Sequence, residues 1–84
     1  MEIRFTQSAR KHRIGKARAL HVINNYMPID IQGDADARDK QLWVGLDDRG
    51  LELEIVTVMS DDYLLVIHAM PTIFRKVKKQ WRLK

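Results

Sequence analysis

Hydrophobic and polar positions follow a helical period in the first part of the chain. Apolar residues at positions 17, 20, 23 and 27 recur at helical spacing, which predicts a helix that Pro28 ends. Upstream of this helix, residues 2–5 alternate charged and apolar side chains and predict a short strand. Thr6 is a suitable N-cap for a first, shorter helix that reaches about Arg13.

From residue 42 onward the hydrophobic period changes to two. Residues 42–46, 51–59 and 63–70 predict three consecutive strands joined by turns. Residues 28–39 contain four aspartates and predict the polar connection before these strands. An apolar stripe from Phe74 to Trp81 predicts a basic last helix over about 72–83. The order β-α-α-β-β-β-α describes one α+β domain, residues 1–84, with an antiparallel sheet packed against helices.

The three strands can be paired so that their apolar residues share one face. This arrangement results when Leu46 lies opposite Leu51 in the first hairpin and Met59 lies opposite Tyr63 in the second. A shift of one residue would turn every side chain of a strand to the other face, so the apolar agreement favours this register.

The same register predicts a row of polar and aromatic side chains on the opposite face. Glu54 then lies between Trp43 and His68 on neighbouring strands. A carboxylate that orients an imidazole is a common arrangement for acid/base catalysis. A plain cross-strand ion pair is the structural alternative.

Length and composition exclude several classes of protein. The 84 residues suffice for one small domain, and the absence of cysteine excludes disulfide scaffolds, zinc ribbons and thiol nucleophiles. The longest apolar stretch, residues 63–70, is too short to span a membrane, and no signal peptide precedes it. We therefore expect a cytoplasmic protein.

The net charge of +4 conceals a strong segregation of charge along the chain. Residues 1–18 hold six lysines and arginines against one acid, and residues 75–84 hold six with no acid. Ten acids and three basic residues lie between these segments. Two basic ends on one small body predict a surface that binds a polyanion. Two solvated helix faces are the alternative.

His12 lies in the first basic segment, between Lys11 and Arg13. This position suits a proton acceptor or a hydrogen-bond partner for phosphate, and an exposed surface histidine is the alternative. The three histidines and scattered aspartates match no metal-binding spacing, and no Gly-rich phosphate loop is present. The sequence thus predicts neither a metal site nor a cofactor.

Three segments carry a resemblance to a known family. They are the Lys-His-Arg-Ile-Gly junction at 11–15, the Leu-Trp-Val-Gly-Leu-Asp strand at 42–47, and the strand at 63–70 that leads to a basic stretch at Arg75. In these segments and in element order over most of residues 2–78, the chain resembles RelE/ParE superfamily toxins, closest to BrnT-like toxins. Such chains usually end the third strand in Ile-Ser-Ala-Arg. Here His68 and Met70 replace the serine and arginine, and Arg75 and Lys76 are expected to supply the missing charge.

The resemblance implies a RelE-like fold and a bacterial toxin of a type II toxin–antitoxin system. Such a protein is a metal-independent ribonuclease that inhibits translation, acts on RNA at or away from the ribosome, and is held inactive by a cognate antitoxin, for example in a heterotetramer. Combined with the register and the charge segregation, it predicts catalytic and RNA-binding residues. The catalytic candidates are His12, Glu54 and His68, and the phosphate-binding candidates are Lys11, Arg13, Lys16, Arg75 and Lys76.

Within this hypothesis, Glu54 or His12 accepts the proton of an RNA 2′-hydroxyl and His68 donates a proton to the leaving oxygen. Two other classes of function remain open. One is a nucleic-acid-binding or translation-associated module without catalysis, which would show salt-dependent binding and no cleavage. The other is an interaction protein that receives a partner on its last helix or on an open strand edge.

Overall fold

The structure, a computed structural model, describes residues 2–31 and 40–75. Its elements form a five-stranded sheet in the order β1-β5-β4-β3-β2, one α-helix and two 3₁₀ turns. The strands are β1 (Glu2–Phe5), β2 (Ile29–Ile31), β3 (Lys40–Leu46), β4 (Glu52–Met59) and β5 (Tyr63–Pro71); the helix is α1 (Lys16–Asn25), and the turns are Ser8–Arg10 and Thr72–Phe74.

The α+β class and the four predicted strands are confirmed, but the sheet is mixed rather than antiparallel. β1 runs parallel to β5, with Glu2 beside Tyr63 and Phe5 beside Val66. All other neighbouring strands are antiparallel. The fifth strand, β2, was not predicted because it is short and lies in the segment that reads as a polar connection.

The helical elements differ more from the predictions. The first helix is only the 3₁₀ turn Ser8–Arg10, although the Ala9 N–H donates to Thr6 Oγ1 at 3.2 Å as the predicted cap requires. The predicted last helix begins as the 3₁₀ turn Thr72–Phe74, and Arg75 after it is extended. The rest of that predicted helix, residues 76–83, lies outside the described residues. In the described ranges, no helix is long and apolar enough to cross a membrane.

One face of the sheet packs against α1 and forms the core. Ala19 and Val22 of the helix are completely buried and meet Trp43, Leu53 and Ile55 of the sheet. The stripe predicted at positions 17, 20, 23 and 27 does not coincide with the buried positions 19 and 22 of α1. Met27, the last residue of that stripe, is 85% exposed.

Trp43 belongs to this core rather than to the predicted row with Glu54. It pairs with Ile55 across the β3–β4 hairpin and therefore shares the face of the sheet that α1 covers. Its indole N–H donates to Thr57 Oγ1 at 2.9 Å, so the buried polar group of the tryptophan is satisfied. Only 9% of Trp43 is exposed.

The register of both hairpins differs from the prediction. Leu46 pairs with Glu52 rather than Leu51, and Met59 pairs with Leu64 rather than Tyr63. The prediction assumed one apolar face, but residues 53–58 of β4 are all buried, so both faces of this central strand are covered. Alternation cannot distinguish two registers when both faces are buried.

A β-bulge in β5 also changes the register of the β4–β5 hairpin. Val56 pairs with His68 and Thr57 pairs with Val66, which leaves Ile67 without a partner on β4. Because of this extra residue, Val66 and Ala69 both enter the core although an odd number of positions separates them. His68 is thereby turned to the face opposite α1.

Asp47 joins the β3–β4 turn to the helix. One carboxylate oxygen accepts the N–H groups of Arg49 at 2.8 Å and Leu51 at 2.9 Å, and the other accepts Arg18 Nε at 2.7 Å. Burial by itself raises the pKa of Asp47, but these hydrogen bonds and the charge of Arg18 outweigh it and lower the pKa to about 2. Gly50, with a φ of 81°, provides the left-handed residue that closes the turn.

We predict a loss of stability in acid that depends on Asp47. Its pKa is near 3.8 without native contacts and about 2 in the folded protein, so its contribution is complete above about pH 4 and is lost as the pH falls toward 2. Asp47→Asn should lower the free energy of unfolding at pH 7 and remove this part of the pH dependence. Urea denaturation between pH 2 and 7 measures both effects. Asp48→Asn, at the exposed neighbouring aspartate, is the control. An effect of Asp48→Asn as large as that of Asp47→Asn would contradict the prediction.

We also predict that Gly45 tolerates no side chain. A Cβ at this buried glycine of β3 would overlap the ring of Tyr26, which follows α1. Gly45→Ala should cost about 1 to 3 kcal/mol of stability, as overpacking of a filled site usually does. Gly15→Ser is the matched control, because a Cβ at Gly15 meets no atom within 4 Å and serine is favoured at a helix N-cap. Thermal unfolding of the two variants compares them, and equal stability would refute the close approach of Tyr26.

Candidate active site

A buried carboxylate lies at the centre of the sheet, on the face opposite α1. Glu54 is in β4, the middle strand, and none of its side chain is exposed. Its cross-strand neighbours are Val44 and Met70, so it is surrounded laterally by apolar residues. A buried carboxylate requires charged or hydrogen-bonding partners, and Glu54 has them at both oxygens.

His68 is the first partner of Glu54. Its Nε2 lies 2.9 Å from Glu54 Oε2, and its side chain is 31% exposed. The two residues are diagonal neighbours on one face of the sheet, because His68 pairs directly with Val56. The sequence analysis therefore predicted the correct pair with an incorrect register.

Arg75 is the second partner and comes from the end of the described chain. Its Nε and Nη2 both donate to Glu54 Oε1, at 2.9 and 2.5 Å. The 3₁₀ turn Thr72–Phe74 directs the chain back over the sheet, and the Thr72 hydroxyl fixes this turn by donating to Glu52 Oε1 at 2.7 Å. Arg75 was predicted as a phosphate-binding residue, and its ion pair with Glu54 was not predicted.

This arrangement determines how the histidine is oriented. A carboxylate that is paired with a guanidinium can only accept hydrogen bonds, so His68 donates to it from Nε2. In the neutral ring, Nδ1 is then the basic nitrogen. Glu54 thus holds an imidazole and a guanidinium side by side, with 31% and 26% of their side chains exposed.

His12 contacts Phe74, the residue that precedes Arg75, through its ring. Its ring is tilted by 54° against the ring of Phe74, with the centroids 5.7 Å apart. Phe74 directly precedes Arg75, lies in the 3₁₀ turn Thr72–Phe74 and is 54% exposed. The other members of the predicted apolar stripe lie outside the described residues. Spacing alone does not distinguish a 3₁₀ turn from the start of an amphipathic helix.

The predicted phosphate-binding residues fall into separate places. Arg13 and Lys16 line a cleft beside β1, and Lys11 is exposed at the end of the first 3₁₀ turn. Arg75 is at the Glu54 cluster, and Lys76 lies outside the described residues. Arg4 and Arg10 also line the cleft and were not predicted, although both belong to the basic segment of residues 1–18.

Within residues 2–31 and 40–75, no three histidine, aspartate or glutamate side chains are grouped so that they could hold a metal ion. The chemistry that the described cluster offers is proton transfer by an imidazole and stabilisation of negative charge by a guanidinium.

Comparisons with known proteins place no constraint on this interpretation. No protein-family model matches the chain, and neither a curated protein nor a solved structure is significantly similar to it.

We predict that the two members of the Glu54–Arg75 pair differ in what their loss costs. Arg75→Ala leaves a carboxylate with no exposed surface and without its guanidinium, which should cost about 2 to 4 kcal/mol at pH 7. Glu54→Gln should cost about 1 to 3 kcal/mol, because Arg75 is partly exposed and can reach water.

The pH dependence distinguishes this ion pair from simple packing. The destabilisation by Arg75→Ala should shrink between pH 7 and pH 4, since a buried carboxylate without its partner can take up a proton. Urea denaturation at the two pH values measures it, with Arg49→Ala in the exposed β3–β4 turn as the control. An equal loss at both pH values would contradict the assignment.

Proposed function

We propose that this protein is a metal-independent ribonuclease, with its reaction centre at Glu54, His68 and Arg75. The observation that carries the proposal is the buried Glu54 carboxylate, which holds a partly exposed imidazole and a partly exposed guanidinium next to each other. Acid/base catalysis of phosphate transfer requires a group that moves protons and a cation at the phosphate oxygens.

The proposed reaction is an internal transesterification of RNA. The 2′-oxygen attacks the adjacent phosphorus, its proton passes to a base, and a bond from phosphorus to the 2′-oxygen forms. The bond from phosphorus to the 5′-oxygen breaks, and an acid donates a proton to that oxygen. The products are a 2′,3′-cyclic phosphate and a 5′-hydroxyl end, and no metal or cofactor is consumed.

In this proposal the three residues have different roles. His68 is the proton-transfer group, because its ring is oriented by Glu54 and partly exposed. Arg75 is the cation that faces the phosphate oxygens as negative charge develops on them. Glu54 acts as a positioning residue rather than as the base that the sequence predicts, because both of its oxygens are engaged and its side chain is fully buried.

His12 is the candidate for the second proton-transfer group. It contacts Phe74, the residue before Arg75, and it is half-buried rather than fully solvated. The half-exposed ring of Phe74 is available for stacking with a nucleobase, as aromatic side chains commonly are in proteins that bind single-stranded RNA.

The cellular role that we propose is that of a cytoplasmic toxin in a type II toxin–antitoxin system, with a RelE-like fold closest to BrnT-like toxins. Its support is the resemblance in residues 11–15, 42–47 and 63–75. Such chains usually have an arginine where this chain has Met70. Met70 is the direct cross-strand neighbour of Glu54, and the guanidinium of Arg75 lies at that same carboxylate. An arginine is thus available where the resemblance lacks one. The proposed partners are RNA, at or away from the ribosome, and a cognate antitoxin.

A module that binds nucleic acid without cleaving it is the second candidate function. It is favoured by the complete engagement of Glu54, which would suit an ion cluster whose only role is to fix the end of β5. This candidate predicts salt-dependent binding of RNA and no cyclic phosphate product.

We predict cleavage of RNA in the presence of EDTA, with a 2′,3′-cyclic phosphate end that mass spectrometry identifies. His68→Gln should lower the rate by about 10²- to 10⁴-fold, the usual contribution of an acid/base residue. His21→Gln on α1 is the matched control, and an oligonucleotide without 2′-hydroxyls should remain intact. Intact RNA with the wild-type protein, or an equal rate for His68→Gln, would exclude the proposed chemistry.

The same variants test the proposed toxin role. Induced expression of the wild type should arrest bacterial growth with breakdown of cellular RNA, and His68→Gln should relieve the arrest at an equal protein level. Normal growth with soluble protein and intact RNA would support the non-catalytic candidate instead.

A further inference from the structure

A second cationic feature lies apart from the Glu54 cluster. A cleft of about 650 Å³ borders β1 at the edge of the sheet and is lined by the segment that joins the first 3₁₀ turn to α1. Four of its lining residues are cationic, namely Arg4, Arg10, Arg13 and Lys16. Neither Glu54 nor His68 nor Arg75 lines it.

Most of the positive charge in this cleft is not neutralised. Glu2 is the one acidic lining residue, and it is engaged by Arg4, whose Nε lies 2.9 Å from its carboxylate. In the described part of the chain, no ion pair involves Arg10, Arg13 or Lys16. The hydrogen bond and charge of Arg4, with a smaller contribution from Lys16, lower the pKa of Glu2, which is the effect of a positive surrounding.

The backbone at Arg13 supports a role for its side chain. Its φ of 58° is in the left-handed region, where a residue with a Cβ is disfavoured and glycine is not. Arginine at this position therefore opposes the conformational preference of the turn, and its side chain contributes a charge to the cleft. Unfavourable backbone geometry of this kind is concentrated at functional sites.

The size and lining of the cleft indicate the class of ligand. Its volume is in the range of pockets that hold a ligand as large as a nucleotide, and it exceeds what a single inorganic ion requires. Three of the four cations are arginines, whose planar guanidinium groups match the geometry of phosphate oxygens. Ile3 and Phe5 add apolar surface to the lining, which suits contact with a sugar or a base.

The cleft is also connected to the reaction centre through the chain. Arg13 lines the cleft, and His12, the residue before it, contacts the Phe74 ring beside Arg75. The cleft and the Phe74 contact are thus joined by two consecutive residues of the chain.

We infer that the cleft between β1 and residues 10–16 binds the phosphodiester backbone of single-stranded RNA. This inference rests on the proposed action on RNA and adds a second phosphate-binding site to it. In this inference Arg13 and Lys16 hold a flanking phosphate, whereas Arg75 acts at the reacting phosphate.

The test measures binding separately from cleavage. A fluorescein-labelled 2′-O-methyl oligouridine of about eight nucleotides cannot be cleaved and has a length typical of single-strand binding sites. Fluorescence anisotropy over a range of salt concentrations then yields the affinity and the number of phosphate contacts.

Arg13→Gly is the decisive variant. It removes a cation and also relieves the left-handed backbone, so the protein should be at least as stable as the wild type. We expect binding to weaken about 5- to 10-fold at low salt, and the slope of log K against log salt to fall by about 0.7, the value for one phosphate of a single strand. Lys16→Gln should act in the same direction, whereas Arg49→Gln, in the β3–β4 turn, removes the same charge and should leave both quantities unchanged.

Competitors identify the source of the anion. Free phosphate and uridine monophosphate should displace the oligonucleotide only weakly, because they make one contact where the chain makes several. Wild-type affinity for both cleft variants would overturn the inference. So would full displacement by millimolar phosphate, which indicates a small-anion site, or polyglutamate binding as tight as that of RNA, which indicates an acidic protein.

The outcomes also separate this inference from the proposed ribonuclease. If RNA is cleaved through His68 but the cleft variants bind normally, the cleft is excluded and the reaction remains. If the cleft variants lose binding but no RNA is cleaved, the cleft is supported and the reaction is excluded.

Discussion

The structure depends on one buried ionic cluster. Placing a carboxylate in the central strand of a sheet is unfavourable unless its oxygens are satisfied, and Glu54 has no exposed surface. Two features of β5 satisfy it. The bulge at Ile67 turns His68 toward the carboxylate, and the 3₁₀ turn after Pro71 carries Arg75 back over the sheet. The end of the described chain is therefore held at the sheet by the ion pair of Arg75 with Glu54.

The sequence predicted four of the five described strands and the Glu54–His68 contact, and the reasons for its failures are physical. Diagonal neighbours on one face remain close when the register shifts, so the contact survived an incorrect pairing. The predicted neighbourhood of Trp43 and Glu54 did not survive, because a shift of the register by one residue moved Trp43 to the face that α1 covers. The contact between Arg75 and Glu54 joins residues 21 positions apart through a turn whose geometry no local pattern encodes. The parallel pairing of β1 with β5 likewise depends on tertiary contacts, and the alternation of four residues does not predict it.

The basic residues of the chain serve two different purposes that a count of charges cannot separate. Arg18 and Arg75 neutralise the buried carboxylates of Asp47 and Glu54, and Arg75 stays partly exposed. Arg10, Arg13 and Lys16, which line the cleft beside β1, make no ion pair within the described residues. The unpaired positive charge of the described chain is therefore smaller than the number of basic residues suggests.

The parallel pairing of β1 with β5 affects the order in which the elements can fold during synthesis. Glu2 lies beside Tyr63, so β1 has no native neighbour until roughly 60 further residues have been synthesised. Until then, Phe5, Ala9 and Ile14 lack the strand or the core that buries them in the native state. The β4–β5 hairpin is local and can form as soon as its residues have emerged, whereas closure of the sheet by β1 requires the longest loop in the fold. β1 is thus synthesised before β5 but is among the last elements to reach its native partner.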